Sequence, residues 1–306
     1  MSGGCTADSF SGRCCNLVPG EFLLTQEDFR RIAAMIHADS GIHLAETKAA
    51  LVYSRLVKRL RALGLASFRD YCKLVAGAEG LDERQRMLAA LTTNVTRFFR
   101  EPHHFEHLEK SVLPPLIKAA RRGARVRFWS AGCSSGEEPY SIALTLLSAM
   151  PDAGEHDIKI LATDIDTEVL GRAKKGIYAA ADLDPVPAKL RARWFVPVLV
   201  SVSGGRKAES CSVAPQLRNL IAFRDLNLFG PWPMGGRFQA IFCRNVAIYF
   251  ENSAQEQLWD RFASKLAAQG FLYIGHSEQI TGAARHWFEI ENVTTYRLKN
   301  PTGKLP

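Results

Sequence analysis

No apolar run in this sequence approaches the roughly 18 consecutive residues that a membrane-spanning helix needs. Residues 1–20 also have no apolar core of the kind found in a secretory signal. The seven cysteines include the adjacent pair Cys14 and Cys15 but no C-x-x-C spacing, so neither a disulfide framework nor a zinc site is predicted. We therefore expect a cytoplasmic protein with reduced thiols, no membrane insertion and no bound metal.

A strong excess of charge is also absent. Lys and Arg number 39 and Asp and Glu 31, which leaves a net charge of +8. This balance favours an acidic partner without distinguishing nucleic acid, an anionic membrane and an acidic protein. Hydrophobic residues make up 47% and charged residues 23%, values that exclude disordered, collagen-like and coiled-coil chains. At about 150 residues per domain, the 306 residues predict two domains.

The first domain is predicted to be all-helical. Residues 1–21 are expected to form a flexible tail, and residues 22–92 contain four helical patterns. Thr25 and Asp28 form a capping box at the start of the first helix, and Gly64 ends the second. The sequence therefore predicts a small helical N-terminal domain.

From residue 93 to residue 306, short apolar strands alternate with helices, which predicts a doubly wound α/β domain with a parallel sheet. The strands are predicted within RVRFWSAG, IKILATDID, NLIAFRDLNL, FQAIFCRNVAIYF and FLYIGHSE. The helix between the last two is expected to begin with a capping box of Ser253 and Glu256 and to end at Gly270.

One stretch does not fit this alternation. The segment WFVPVLVSVSGGRKAESCSV predicts short strands around a turn at Gly204 and Gly205. We therefore expect a small β subdomain inserted at about residues 190–222.

Acidic residues and glycines follow the first two predicted strands, where ligands bind in an open parallel sheet. Gly132 and Gly136 let a ligand approach the backbone, but Glu137 and Glu138 would repel a pyrophosphate there. The second strand ends at Asp164, where Rossmann-like folds hold a ribose. This pattern favours a nucleoside without a pyrophosphate, of which S-adenosylmethionine is the commonest. Helix-capping glutamates with no ligand are the alternative.

Polar residues also follow the next two strands and precede the α/β domain. Asn227 and Asn245 stand after the third and fourth strands, and although Asn is often only a turn residue, two at successive strand ends favour a shared site. The junction segment NVTRFFRE carries Arg100, a cation suited to orienting a carboxylate. Phe98 and Phe99 are expected to pack the two domains together.

A serine hydrolase is the competing interpretation of the first loop. Residues 132–136 match the G-x-S-x-G pattern of a nucleophile elbow, and Asp225 and His276 follow in the chain order of that fold. However, such an elbow normally follows several strands, whereas this one follows the first strand behind a helical domain. The hydrolase interpretation is therefore disfavoured.

Five sequence blocks together resemble one known family. NVTRFFRE, WSAGCSSGEEPYSIA, ATDIDTEVL, FCRNVAIYF and GHSE, in this order and spacing, are similar to the chemotaxis receptor glutamate methyltransferases of the CheR type. The resemblance covers about residues 22–298. It implies a helical N-terminal domain, a Rossmann-like S-adenosylmethionine-binding α/β domain and an inserted β subdomain, as the patterns above predict independently.

The resemblance also implies a function. Members of the family methylate glutamate side chains in the cytoplasmic domains of methyl-accepting chemoreceptors, which tunes sensory adaptation and releases S-adenosylhomocysteine. We accordingly expect a cytoplasmic monomer that is recruited to receptor arrays and has no nucleic-acid partner. A nucleic-acid methyltransferase, and a catalytically silent scaffold that only binds the cofactor, are the remaining alternatives.

Site residues are assigned from the matching motif positions. Arg100 and Tyr249 are expected beside the transferred methyl as the catalytic pair. The resemblance implies that the following residues contact the cofactor: Asn94, Thr96, Arg100, Glu138, Asp164, Asn227, Leu228, Arg244 and Asn245. Cys133 and Ala247 occupy positions where the family varies.

The implied reaction is an in-line displacement in which a glutamate oxygen attacks the sulfonium methyl. Because a carboxylate is already ionised at pH 7, no strong general base is needed. Positioning and desolvation, which contribute up to roughly 7–11 kcal/mol for well-aligned atoms, then dominate catalysis. Arg100 is expected to orient the carboxylate and Tyr249 to shape the methyl-transfer site, and His276 is expected to be structural or to line the pocket.

Two further expectations concern substrate recognition. Arg55, Lys58 and Arg59 on the second helix are predicted to bind the acidic receptor helices, with a merely solvated face as the alternative. Residues 195–214 are longer than the matching segment of family members that dock a receptor tail peptide, and Arg206, Lys207 and Glu209 would cover or charge the strand edge that a peptide needs. We therefore expect the helical domain, and not a receptor tail, to find the substrate.

Overall fold

The computed structural model describes residues 17–201 and 207–299, and the chain divides into two compact units. The first ends at Leu91 and the second begins at Thr92, with Ser40–Ile42 also belonging to the second. The first 16 residues of the predicted tail and the turn at Gly204 and Gly205 lie outside the described residues. Within the described ranges, no helix is long and apolar enough to cross a bilayer.

The first unit is helical. Its α-helices are α1 (Gln26–Ser40), α2 (Ala49–Leu63), α3 (Phe68–Ala76) and α4 (Leu81–Leu91). The predicted capping box is confirmed, because the Asp28 N–H donates to Thr25 Oγ1 at 3.1 Å and the Thr25 N–H donates to Asp28 Oδ2 at 3.3 Å. Gly64 ends α2 as predicted, in the left-handed conformation at a φ of 66°.

The second unit is built on a seven-stranded sheet. Its strands are β1 (Val126–Ala131), β2 (Ile158–Asp164), β6 (Ile221–Asp225), β7 (Phe238–Cys243), β8 (Leu266–Ile274), β9 (Phe288–Asn292) and β10 (Thr295–Leu298). Its α-helices are α5 (Pro102–His107), α6 (Leu113–Ala120), α7 (Glu137–Ala149), α8 (Thr167–Lys175), α9 (Ala188–Trp194), α10 (Pro215–Arg218) and α11 (Asn252–Lys265). A π-helical segment, Leu108–Val112, joins α5 to α6.

The strand order β6-β2-β1-β7-β8-β10-β9 confirms the doubly wound α/β fold. The five strands from β6 to β8 are parallel, as predicted. The order reverses between β1 and β7, which is the switch point where such sheets bind ligands. The antiparallel strands β9 and β10 were not predicted, because their short segments carry no βαβ alternation.

Two predicted details of α11 and β8 are wrong. Helix α11 begins at Asn252 with Glu251 as its N-cap and has no side-chain cap, so Ser253 lies inside the helix and forms no capping box. Gly270 does not end the helix. It lies within β8, where the register with β7 shifts and a Cβ would meet the Phe238 carbonyl at 3.1 Å.

The inserted subdomain is a three-stranded antiparallel sheet in the order β3-β5-β4. It comprises β3 (Ile177–Ala179), β4 (Phe195–Ser201) and β5 (Lys207–Val213), so it includes a strand that precedes the predicted insertion. Lys207 and Glu209 lie on the part of β5 that pairs with β4 and extends beyond the three residues of β3, so the expected charged cover of the strand edge stays a prediction. The outer strand β4 exposes Val196 and Leu199.

The aromatic pair of the junction segment packs within the second unit. Phe98 is fully buried, and its ring centroid lies 5.0 Å from that of Tyr178 of β3 and 5.7 Å from that of Phe195 of β4. Phe99 contacts the ring of Phe105 at 5.3 Å. Phe98 therefore supports the small sheet, a role that the sequence pattern did not suggest.

Candidate active site

The loops after β1 and β7 approach each other closely. Gly132 and Gly136 have φ angles of 86° and 100°, a left-handed region that favours glycine. A Cβ on Gly132 would lie 2.4 Å from the Val246 side chain in the loop after β7. The two glycines therefore permit both the turn into α7 and the contact across the switch point.

Asp164 ends β2 and connects it to the loop after β1. Its carboxylate accepts hydrogen bonds from the Ser134 N–H at 2.7 Å and from the Asp166 N–H at 3.0 Å. Burial raises the pKa of Asp164 to about 6. Because each carboxylate oxygen can accept a second hydrogen bond, Asp164 can still accept a hydrogen bond from a ligand hydroxyl.

The junction segment is hydrogen-bonded to the loops that follow β1 and β2. The Asn94 side-chain amide donates to Asp166 Oδ2 at 2.7 Å, and the Asn94 carbonyl accepts from the Ser134 hydroxyl at 3.0 Å. Asp166 also caps α8 by accepting from the Glu168 N–H at 2.9 Å. The sequence analysis missed Asp166, although its place two residues after Asp164 and before a helix could have identified the cap. Thr96 is half-buried in the same segment.

Glu138 and Arg244, both predicted to contact the cofactor, form a buried ion pair with 3.2 Å between Oε2 and a guanidinium nitrogen. Glu138 Oε1 accepts from the Ser130 hydroxyl at 2.7 Å, and burial raises the pKa of Glu138. Arg244 also lies 3.3 Å from Glu101 Oε2 and donates to the carbonyl of Arg100. These contacts join the loops after β1 and β7 to the junction segment.

Glu101 was not predicted as a site residue. Its Oε1 accepts from the His276 backbone N–H at 3.2 Å and lies 3.0 Å from the His276 ring Nδ1. Burial alone would raise the pKa of Glu101, but Arg244 and His276 together lower that pKa to about 2. His276 is thus held at the end of β8, and its assignment as structural or pocket-lining stays a prediction. The arginine-glutamate pair at the end of NVTRFFRE was the available sequence signal.

Asn245 and Tyr249 belong to the loop after β7, which Glu278 holds in place. The Glu278 carboxylate accepts from the backbone N–H groups of Asn245 at 2.9 Å and Ile248 at 3.3 Å. Asn245 has a φ of 59°, and its side-chain oxygen is buried without a hydrogen-bond donor in the described chain. That oxygen can accept a hydrogen bond from a ligand. Tyr249 is half-buried, and among the described contacts no hydrogen bond or ion pair joins it to Arg100.

Asn227 and Leu228 lie in a turn after β6. Asn227 Oδ1 accepts from the Phe229 N–H at 2.9 Å, which is the turn role that Asn commonly has. The Leu228 carbonyl accepts from the Trp232 indole at 3.2 Å and from Arg261 of α11. Arg261, which the sequence analysis did not identify, therefore helps to hold the turn.

The hydrolase interpretation is wrong. The Ser134 hydroxyl donates to the Asn94 carbonyl, His276 contacts Glu101, and Asp225 is exposed. These three side chains therefore form no catalytic triad.

The predicted substrate-binding residues on α2 differ in their contacts. Lys58 is exposed, whereas Arg55 donates to the Ala90 carbonyl at 3.2 Å. Arg59 donates two hydrogen bonds, at 2.9 and 2.6 Å, to the buried carboxylate of Glu83. Arg59 is therefore first a structural residue of the helical unit, while Lys58 remains available to a partner.

The residues at the switch point fit S-adenosylmethionine in their chemistry. Asp164 can accept from ribose hydroxyls, and the unpartnered oxygen of Asn245 can accept from a further donor. The acidic residues would be unfavourable to a pyrophosphate. In the described part of the chain, no group of three or more His, Cys, Asp or Glu side chains is arranged to hold a metal ion.

Comparison with known proteins gives matches along nearly the whole chain. The family model described as "CheR methyltransferase, SAM binding domain" matches residues 94–297, and "CheR methyltransferase, all-alpha domain" matches residues 27–92. The "Probable chemotaxis protein methyltransferase" of Rhizobium etli is 53% identical over 86% of this chain and 96% of its own length. The "Chemotaxis protein methyltransferase 2" of Pseudomonas aeruginosa is 43% identical over 86% of this chain and 90% of its own length. The "Chemotaxis protein methyltransferase" of Escherichia coli is 40% identical over 90% of this chain and 92% of its own length. The predicted binding of S-adenosylmethionine is confirmed by the description of the larger domain.

Proposed function

Since this chain belongs to the CheR methyltransferase family, we propose that it transfers methyl groups from S-adenosylmethionine to glutamate side chains in the cytoplasmic domains of methyl-accepting chemoreceptors. The products are glutamate methyl esters and S-adenosylhomocysteine. The protein is then a protein-glutamate O-methyltransferase that serves sensory adaptation.

One set of contacts supports this proposal most directly. Asn94 is bonded to both Asp166 and Ser134, so the junction segment that carries Arg100 lies at the ends of β1 and β2. A cofactor held by Asp164 is then close to the segment that supplies the proposed catalytic arginine. The same contacts support a cofactor-binding role for Asn94, and we assign one to Thr96 as a nearby residue of the same segment.

The cofactor, when bound, supplies an electrophilic methyl on a sulfonium centre. The chain's own residues have to bind, orient and exclude water. Asp164 accepts from the ribose, and Asn227, Leu228 and Asn245 line the site from the loops after β6 and β7. Glu138 and Arg244 join the loops after β1 and β7 through their ion pair, and both border the cofactor.

Arg100 and Tyr249 act on the substrate. The glutamate carboxylate arrives ionised, so the protein need not remove a proton from it. Arg100 orients this carboxylate through charge-assisted hydrogen bonds, and Tyr249 shapes the space in which the methyl moves. Arg100 is half-buried and now donates to the Val95 carbonyl at 2.9 Å, a bond that it exchanges for the substrate.

Recognition of the receptor is assigned to α2. Lys58 is an exposed cation of this helix, and Arg55 and Arg59 add positive charge beside it. The acidic methylation helices of a receptor are complementary to this surface. The protein acts as a monomer in the cytoplasm and is recruited to receptor arrays.

Incubation with tritiated S-adenosylmethionine and membranes that contain the parent organism's receptors tests the proposal. Label should appear in receptor bands and should be released by mild alkali, as expected of an ester. Alkali-stable label would exclude glutamate methylation, and label in added DNA or RNA would favour a nucleic-acid methyltransferase. Cofactor binding without any methyl transfer would favour the alternative of a catalytically silent scaffold.

A further inference from the structure

The backbone on both sides of Arg100 is strained. Phe99 and Glu101 have φ angles of 51° and 56°, a left-handed region that non-glycine residues rarely adopt. Such conformations persist only where the surrounding structure holds them, and they cluster at functional sites. The contacts that hold this segment therefore bear on how Arg100 is presented.

One side of the strained segment is held by backbone contacts. The Phe99 N–H donates to the Ser141 hydroxyl of α7 at 2.9 Å, and the Arg100 N–H donates to the Arg97 carbonyl at 3.4 Å. The Arg100 carbonyl accepts from the Arg244 guanidinium. Arg244 is thus a direct support of the peptide that follows Arg100.

Glu101 connects this support to a third loop. Its Oε2 lies 3.3 Å from the Arg244 guanidinium in an ionic contact, and its Oε1 accepts from the His276 N–H at 3.2 Å. The side chains of Glu101 and Arg244 are only 11% and 2% exposed. The carboxylate of Glu101, a strained residue next to Arg100, therefore contacts residues at the ends of both β7 and β8.

The charge of Glu101 is needed for this arrangement. Arg244 lies between the carboxylates of Glu101 and Glu138, at 3.3 and 3.2 Å. A buried guanidinium that loses a partner charge is strongly disfavoured, so removal of the Glu101 charge would let Arg244 shift towards Glu138. The hydrogen bond to the Arg100 carbonyl would weaken with that shift.

We propose that Glu101 is a positioning residue for methyl transfer, whose carboxylate holds Arg244 and the loop after β8 so that the backbone at Arg100 keeps its strained conformation. This proposal rests on the proposed function for its catalytic part. The positioning part can be measured without any receptor. In this role Glu101 acts through Arg244 and the backbone of Arg100.

The test compares Glu101→Gln with Glu106→Gln in the full chain. Glu106 is a matched control because it lies on α5, is 61% exposed and pairs only at the surface with Lys110. Amide hydrogen exchange of Phe99 and Arg100 should become about tenfold faster in Glu101→Gln and stay unchanged in Glu106→Gln. Unchanged exchange in Glu101→Gln would overturn the proposal.

A double-mutant cycle tests the catalytic part. Glu101→Gln should lower kcat for receptor methylation about tenfold with a smaller change in the KM for S-adenosylmethionine, and should cause no further loss in an Arg100→Ala background. Equal losses in both backgrounds would mean that Glu101 does not act through Arg100. If the wild-type chain methylates no receptor, the proposed function fails, while the exchange result still decides the positioning role.

A second variant covers the case in which Glu101→Gln does not fold. Glu101→Asp keeps the charge, but its shorter side chain cannot reach both Arg244 and His276. It should show the same faster exchange and the same dependence on Arg100. Wild-type exchange and turnover in Glu101→Asp would also overturn the proposal.

Discussion

The side-chain amide of Asn94 donates to the carboxylate of Asp166 at 2.7 Å, across 72 residues of sequence. Asp166 uses its other oxygen to cap α8, so this carboxylate holds the junction segment and begins the helix after β2. The position of the junction is therefore coupled to the end of the strand that carries Asp164. The position of Arg100, six residues after Asn94, therefore depends on this hydrogen bond and on the hydrogen bond from Arg244 to the Arg100 carbonyl.

Replacement of Asp164 by Ala should weaken the binding of S-adenosylhomocysteine by about 1.5–3 kcal/mol, the range for hydrogen bonds to a charged group. The physical reason is the loss of the carboxylate that accepts from the ribose. Calorimetry measures the effect, with Asp157→Ala as a control at the exposed opposite end of β2. An unchanged dissociation constant for Asp164→Ala would show that the ribose is held elsewhere.

Cofactor affinity should also depend on pH through the same group. Burial raises the pKa of Asp164 to about 6, so the free protein binds a proton there as the pH falls below that value. Because the ribose needs the ionised acceptor, affinity should be full at pH 7 and above and should fall by about tenfold per unit well below pH 6. Asp164→Asn should remove this dependence, and a wild-type profile in that variant would assign it to another group.

Replacement of Arg100 by Ala should lower kcat by about 10- to 100-fold with little change in unfolding free energy, because a charge-assisted bond made in the transition state is lost. Arg100→Lys should recover only part of the rate, since a lysine cannot form the bidentate contact. Receptor-labelling rates and urea unfolding supply the two measurements. Arg97→Ala, at an exposed neighbour, is the control. A wild-type rate in Arg100→Ala would make Arg100 structural.

Charge reversal at Lys58 should raise the KM for receptor by about threefold and flatten its salt dependence, while leaving cofactor affinity unchanged. Lys58 is the suitable site because it is exposed, whereas Arg55 and Arg59 have partners within their own unit. Arg69→Glu, an equal charge change on α3, serves as the control. The same salt dependence of the KM for receptor in Lys58→Glu and wild type would indicate that this face of α2 is only solvated and does not bind the receptor.

Replacement of Arg59 by Ala should destabilise the helical unit by about 2–3 kcal/mol, somewhat less than for a fully buried pair because Arg59 is 26% exposed. The variant leaves the buried Glu83 carboxylate with the more distant Arg86, at 3.8 Å, in place of the two hydrogen bonds from Arg59. Adding Glu83→Gln to Arg59→Ala should restore part of the loss. Urea unfolding of the full chain measures both effects, and a double variant no more stable than Arg59→Ala would contradict this account.

Independence from a receptor tail peptide remains a prediction, which the basic residues of α2 support. Lys207 and Glu209 lie where β5 extends beyond β3, so they can charge that edge, whereas the outer strand β4 exposes the apolar Val196 and Leu199. Titration with tail pentapeptides of the parent organism's receptors decides it. Micromolar binding that shifts resonances of β4 would show that a tail does dock.

Local patterns in the sequence determined the features that depend on neighbouring residues. The Thr25 and Asp28 cap, the left-handed Gly64 and the five apolar segments of the parallel strands each follow from chemistry within a few residues. Asp164 could be assigned to a strand end because the strand pattern stops there. The same local reasoning missed β9 and β10 and placed Gly270 at a helix end, since strand bounds depend on the partner strand.

Only the tertiary structure decided which distant charged side chains pair with one another. Arg244 lies 106 residues from Glu138, and Glu101 lies 175 residues from His276, so no periodicity could pair them. Topology brings the loops after β1, β7 and β8 together at the switch point, and burial there makes charge pairing obligatory because unpaired ions cost too much. The sequence thus specified the residue types at each strand end, while the fold determined which of them bind one another.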